Sequence, residues 1–140
     1  MSDSILVCGV VRDILDKNKI YLLHHNTIGK WVVPGGHLEH NDTPEFTLEK
    51  EMFEEVGVDC TLYKLIKQGH LEFFFNGKKE KKFIHLYNIL QYNGIPYNKE
   101  PNNHSLLRSF DNNEMRKMVL DGLASDHVRF YLDCVEGKDV

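Results

Sequence analysis

Cysteine is scarce, and the three thiols, Cys8, Cys60 and Cys134, stand far apart with no C-x-x-C pair. That spacing reads as reduced, mostly packed thiols in a cytoplasmic protein rather than a disulfide framework. No apolar run approaches the ~18 residues of a membrane span. The opening Met-Ser-Asp-Ser lacks the basic n-region of a signal peptide. Positive charge is also short: 17 Lys and Arg against 21 Asp and Glu leave a net charge of −4. Non-specific binding to nucleic acid or to an anionic membrane is therefore not expected. Also missing are a P-loop, a Rossmann fingerprint, a Ser or Cys nucleophile motif and any internal repeat.

What remains suits a globular enzyme. The chain of 140 residues is long enough for one sizeable core, and 1–140 reads as a single domain. Apolar patterning predicts strands over 4–12, 20–24, 31–33, 60–67 and 106–110. A hairpin is expected from 69–75 and 81–90, turning at Asn76-Gly77, with four lysines near its tip. Pro34-Gly35-Gly36 reads as a loop that lets backbone approach a ligand closely. Thr43 as N-cap and Pro44 at the first helical position start a helix that Gly57 ends. Leu48, Met52 and Val56 form its apolar stripe, flanked by Phe46 and Phe53. The segment 91–104 reads as the longest loop. Helices are expected from Asp111 through Leu123 and from Ser125 or Asp126 through Val135. Strands interleaved with helices give an α/β (α+β) sandwich.

The helix from Thr43 carries the chemistry. Glu51, Glu54 and Glu55 sit at i, i+3 and i+4, so three carboxylates share one face. Such like charges repel by a few tenths of a kcal/mol per pair, roughly, even on an exposed helix. A divalent cation among them turns repulsion into attraction. Full-charge oxygen ligands suit a hard ion, Mg²⁺ or, as a substitute, Mn²⁺.

Over 36–58 the sequence resembles the Nudix box: Gly36, Asp42, Lys50, Glu51, Met52, Glu54, Glu55, Gly57 and Val58 fall at the defined positions. Two depart from the pattern, Asp42 for Glu and Lys50 for Arg. The resemblance implies a mixed central sheet between helices, and Mg²⁺-dependent hydrolysis of a nucleoside diphosphate linked to another group. A (deoxy)nucleoside triphosphate cut to monophosphate and pyrophosphate leads, with an ADP-ribose-like compound close behind. Glu51, Glu54 and Glu55 are the expected catalytic and metal residues, joined by backbone of Gly35 or Gly36. Lys50 keeps the sign of the family's Arg but not its two-pronged contact with the catalytic Glu.

The remaining candidates are weaker. His37 and Glu39 are expected near the phosphates, and Trp31 among the aromatics that stack on a base. Glu100 is the candidate for a last carboxylate from a distant loop, ahead of Glu72 and Glu80. His37 and His40 make a poor zinc pair without cysteines. His70, His85, His104 and His127 have no linking pattern and are expected to be hydrogen-bonded, partly buried imidazoles. A rival reading is a nucleotide-sensing module with little catalysis, and Lys50 and Asp42 keep it open. The expected partner is a small nucleotide. Sequence does not separate a monomer from a homodimer.

Overall fold

The protein is described here from a computed structural model, which covers residues 4–75 and 77–137, the side chains of Phe74 and Phe75 excepted. Seven strands form two sheets. The first has four strands in the order β4-β1-β6-β5 and the second three in the order β3-β2-β7. They are β1 (Ser4–Val10), β2 (Ile20–His25), β3 (Lys30–Val32), β4 (Gly35–His37), β5 (Asp59–Phe75), β6 (Lys78–Asn93) and β7 (His104–Phe110). The β1–β6 pair is parallel and every other pair antiparallel. Helix α1 (Pro44–Glu51) runs into a π turn (Met52–Val56). Helices α2 (Asn112–Leu120) and α3 (Asp126–Val135) follow β7.

Alternation along the strands divides the core in two. Val7 and Val11 of the β1 segment, with Leu23, Tyr87 and Ile89, pack on Leu48, Met52 and Val56 of the α1 side. Cys8 and Val10, with Leu22, Ile84 and Leu86, face Met115, Val128, Tyr131 and Leu132 of α2 and α3. Gly9 shares the α1 face, where an added Cβ would come 2.7 Å from the Met52 sulfur. The period-2 pattern thus buries both faces and sandwiches the mixed sheet arrangement between helices. Two hydrogen bonds pin α1 to the hairpin: Tyr63 donates to Glu49 at 2.6 Å and Tyr87 to Glu45 at 2.9 Å. No helix of the described residues is long and apolar enough to cross a membrane.

Several expectations need correction. The segments 60–67 and 69–75 are one strand, β5, whose register shifts near its start absorb the irregular pattern. Gly69 does not break it; a side chain there would meet the Phe130 ring at 3.5 Å. Gly35-Gly36 is strand, not loop, pairing with Cys8 and Val7. It forms because a Cβ at Gly35 would fall on the Val7 carbonyl, so only glycine lets β4 lie this close. β6 runs on to Asn93, which shortens the loop before β7 to 94–103. α2 stops at Leu120, and Gly122 follows with φ of 73°. Phe46 and Phe53, flanking the stripe, are exposed; the Lys99 ammonium covers Phe53, 3.4 Å from its ring centre. Of the expected Asn76-Gly77 turn, Asn76 lies outside the described residues.

Candidate active site

Thr43 accepts a hydrogen bond from the Phe46 amide and Pro44 occupies the first turn, so α1 starts where local chemistry favours it. Its last turn widens into the π turn and closes on Gly57, which takes φ of 74°. The three acidic residues therefore end in three environments. Glu54 is exposed, Glu51 half-buried, and Glu55 only 8% exposed. The Glu55 Oε1 accepts a hydrogen bond from the Gly35 amide at 2.8 Å. Gly36 lies against Glu51 so closely that an added Cβ would overlap its carboxylate.

The loop before β7 completes the cluster. Tyr97 and Lys99 donate their amides to the Val56 and Glu55 carbonyls at 3.0 and 3.2 Å. Those carbonyls belong to a helix end and lack partners within it. The His104 amide then bonds back to the Glu100 carbonyl at 3.0 Å, a tight turn that sets Glu100 and His104 beside Glu55. One ligand atom from each of these three residues lies within 4.8 Å of the others. His104 Nε2 is 3.6 Å from Glu55 Oε2.

Burial dominates the electrostatics. It lifts the Glu55 carboxyl to about 8, with Glu51, Glu100 and Glu54 adding repulsion and the Gly35 hydrogen bond opposing. Glu51 rises to about 7, again mainly by burial and then by Glu54, while Lys50 pulls the other way. Such shifts mark an unneutralised acidic pocket. Carboxylate oxygens close together, tied to a backbone amide, are a donor set that fits a divalent cation.

A cleft of about 570 Å³ opens from this cluster and is lined by both sheets. Gly35, Gly36, His37, Glu55 and His104 line it, as do Phe73, Lys82, Ser125 and His127. There the Val33 amide donates to His127 Nε2 at 2.9 Å, so the neutral ring carries its proton on Nδ1, 2.9 Å from Ser125 Oγ. Burial holds this imidazole down at about 4. Ser125 consequently accepts from the ring and keeps its own hydroxyl proton as a donor.

Among the residues expected from sequence, Glu51, Glu54, Glu55 and Glu100 are electrostatic neighbours, and Glu39 is close enough to raise Glu51. His37 stands at the cleft rim. Lys50 Nζ is 3.9 Å from Asp42, so the two departures from the box pair with each other. Trp31 is not among the cleft-lining residues; its ring packs edge-on against Phe110 and His24. His104, Ser125 and His127 were not singled out by sequence. Their only sequence signal is proximity: His104 follows Glu100 by one turn's length.

The NUDIX domain family profile matches residues 6–134. Over 65 residues the chain is 50% identical to the 8-oxo-dGTP diphosphatase of Proteus vulgaris, covering 44% of this chain. That match spans 56% of the relative, little more than half its length. The 8-oxo-dGTP diphosphatase of Buchnera aphidicola subsp. Schizaphis graminum is 30% identical over 95 residues, 65% of this chain and 68% of that protein. Among solved structures, the NUDIX domain of Shewanella oneidensis NrtR complexed with ADP ribose superposes with a TM-score of 0.75. Identity there is 15%, over 100% of this chain and 90% of that one, a likeness of fold alone.

Proposed function

The chain belongs to the Nudix family, and from that premise we propose that it is a Mg²⁺-dependent hydrolase of a nucleoside diphosphate linked to a further group. The reading takes residues 1–140 as one domain of this kind. A (deoxy)nucleoside triphosphate, with 8-oxo-dGTP among those to be tried, is the leading substrate, cut to monophosphate and pyrophosphate. The two diphosphatase relatives support that class. An ADP-ribose-like compound is second, supported by the ligand of the NrtR domain.

The observation that carries the reading is the gathering of Glu55, Glu100 and His104 beside the Gly35-Gly36 strand, with Glu51 an electrostatic neighbour. Glu55 and Glu100 would hold the cation, with Glu51 and Glu54 beside them. When bound, the cation supplies charge neutralisation at the phosphoryl oxygens and acidity to the attacking water. Glu51, beside those ligands, is the residue assigned to take a proton from that water. The Gly35 amide orients Glu55. Ser125 offers its hydroxyl proton to an acceptor on the base, and Phe73 gives the cleft an apolar wall.

A panel of nucleotides, sugar nucleotides and dinucleotides, assayed with and without Mg²⁺, tests this. Metal-dependent release of monophosphate from at least one is expected, and no turnover in any metal would defeat the proposal. The sensor reading rests on Lys50, whose ammonium pairs with Asp42 instead of bracing a glutamate with a fork. Under it the panel would give binding without hydrolysis.

A further inference from the structure

His104 is 3% exposed, and its Nδ1 has no hydrogen-bond partner among the described residues. Its other nitrogen faces Glu55 at 3.6 Å, beyond an ordinary hydrogen bond. A buried imidazole nitrogen left unmet by protein is uncommon, because an unmet polar group costs about 1–3 kcal/mol. Its position is nevertheless firmly set. The His104 carbonyl accepts from the Asn98 side chain at 2.6 Å, its amide bonds to Glu100, and its backbone pairs with His25 in the sheet. The ring is held at the acidic cluster, where its ligand atom lies within 4.8 Å of those of Glu55 and Glu100.

We propose that His104 supplies a nitrogen ligand to the cation held by Glu55 and Glu100, so that this site takes Mn²⁺ in preference to Mg²⁺. The inference rests on the metal-site reading above and narrows it. Magnesium favours oxygen ligands and gives up water reluctantly. Imidazole is a donor that first-row transition ions use and Mg²⁺ does not favour. A mixed set of two carboxylates and one imidazole therefore separates two ions that an all-carboxylate set would treat more alike.

The test uses the full chain with Mn²⁺ alone, free of nucleotide. Electron spin-echo modulation from directly bound ¹⁴N is expected in the unaltered protein. It should persist in His25→Gln and vanish in His104→Gln and His104→Asn. In calorimetric titration, His104→Gln should weaken Mn²⁺ binding by roughly tenfold or more, the lower end of what loss of a supporting group costs a metal site. Mg²⁺ binding should change by much less. Mn²⁺ bound to the unaltered protein with no ¹⁴N modulation overturns the proposal while leaving the carboxylate site standing, and that result needs no variant to fold. Mn²⁺ binding that is indifferent to Glu55→Gln overturns the site itself and the proposal with it.

Discussion

Burial lifts the Glu55 carboxyl to about 8 and the Glu51 carboxyl to about 7, so in the metal-free protein both keep protons that an unfolded chain releases near pH 4.5. The folded state then binds more protons than the unfolded one, and stability falls as pH rises through that window. The stabilising contribution is complete below pH 4.5 and gone above about pH 8. His127, held down at about 4, acts in the opposite sense at the acid end. The clean comparison is therefore between the protein and Glu55→Gln, which can still accept from the Gly35 amide. In EDTA, thermal melts should show the variant gaining stability relative to the parent between pH 5 and pH 8. An identical pH dependence for both would mean that Glu55 is not under this strain. With a divalent cation present, the same variant should lose hydrolysis by roughly 10²-fold or more, since loss of a ligand costs at least what loss of a group supporting one does. Steady-state rates at saturating substrate read this directly.

The helix that carries these residues was legible in its start and its spacing, because Thr43, Pro44 and the glutamate positions are local signals. Its ending was not. The π turn is held by Gly57 and by the Tyr97 and Lys99 amides on the Val56 and Glu55 carbonyls, contacts between segments far apart in sequence. An even α-helical face for Glu51, Glu54 and Glu55 follows from spacing alone; the wide turn instead leaves one exposed and buries another. Gly35-Gly36 misled for a related reason. A glycine pair marks a loop by composition, yet here it marks the close approach of β4 to β1. His104 was invisible because nothing in the order of residues says that a turn will seat it beside Glu55. These elements yield two predictions. Gly57→Ala forces a left-handed conformation and drives a methyl into the Tyr97 ring, which should destabilise the fold by about 1–3 kcal/mol in denaturant melts. Gly36→Ala should leave the melt largely unchanged but displace the Glu51 carboxylate, seen as weakened metal binding and lost turnover.

Across the molecule, a net charge of −4 and a carboxylate cluster at the cleft repel the polyphosphate that the reading assigns to it. Under that reading, cation binding removes the conflict and links catalysis to stability. A ligand at a hundred times its Kd that binds only the folded state adds about 2.7 kcal/mol. Calorimetry with Mn²⁺ or Mg²⁺ at that excess should raise Tm for the unaltered protein and barely move Glu55→Gln. The sandwich serves the same end: α1 with its π turn and the loop before β7 supply carboxylates, while the first turn of α3 and its N-cap supply His127 and Ser125 to the cleft lining. The most direct measurement is ³¹P NMR of dGTP and 8-oxo-dGTP incubated with the protein, with and without divalent cation. Pyrophosphate should grow in only with the cation, and far more slowly with Glu55→Gln. Pyrophosphate appearing at the same rate in EDTA, or at the same rate in the variant, would contradict the account.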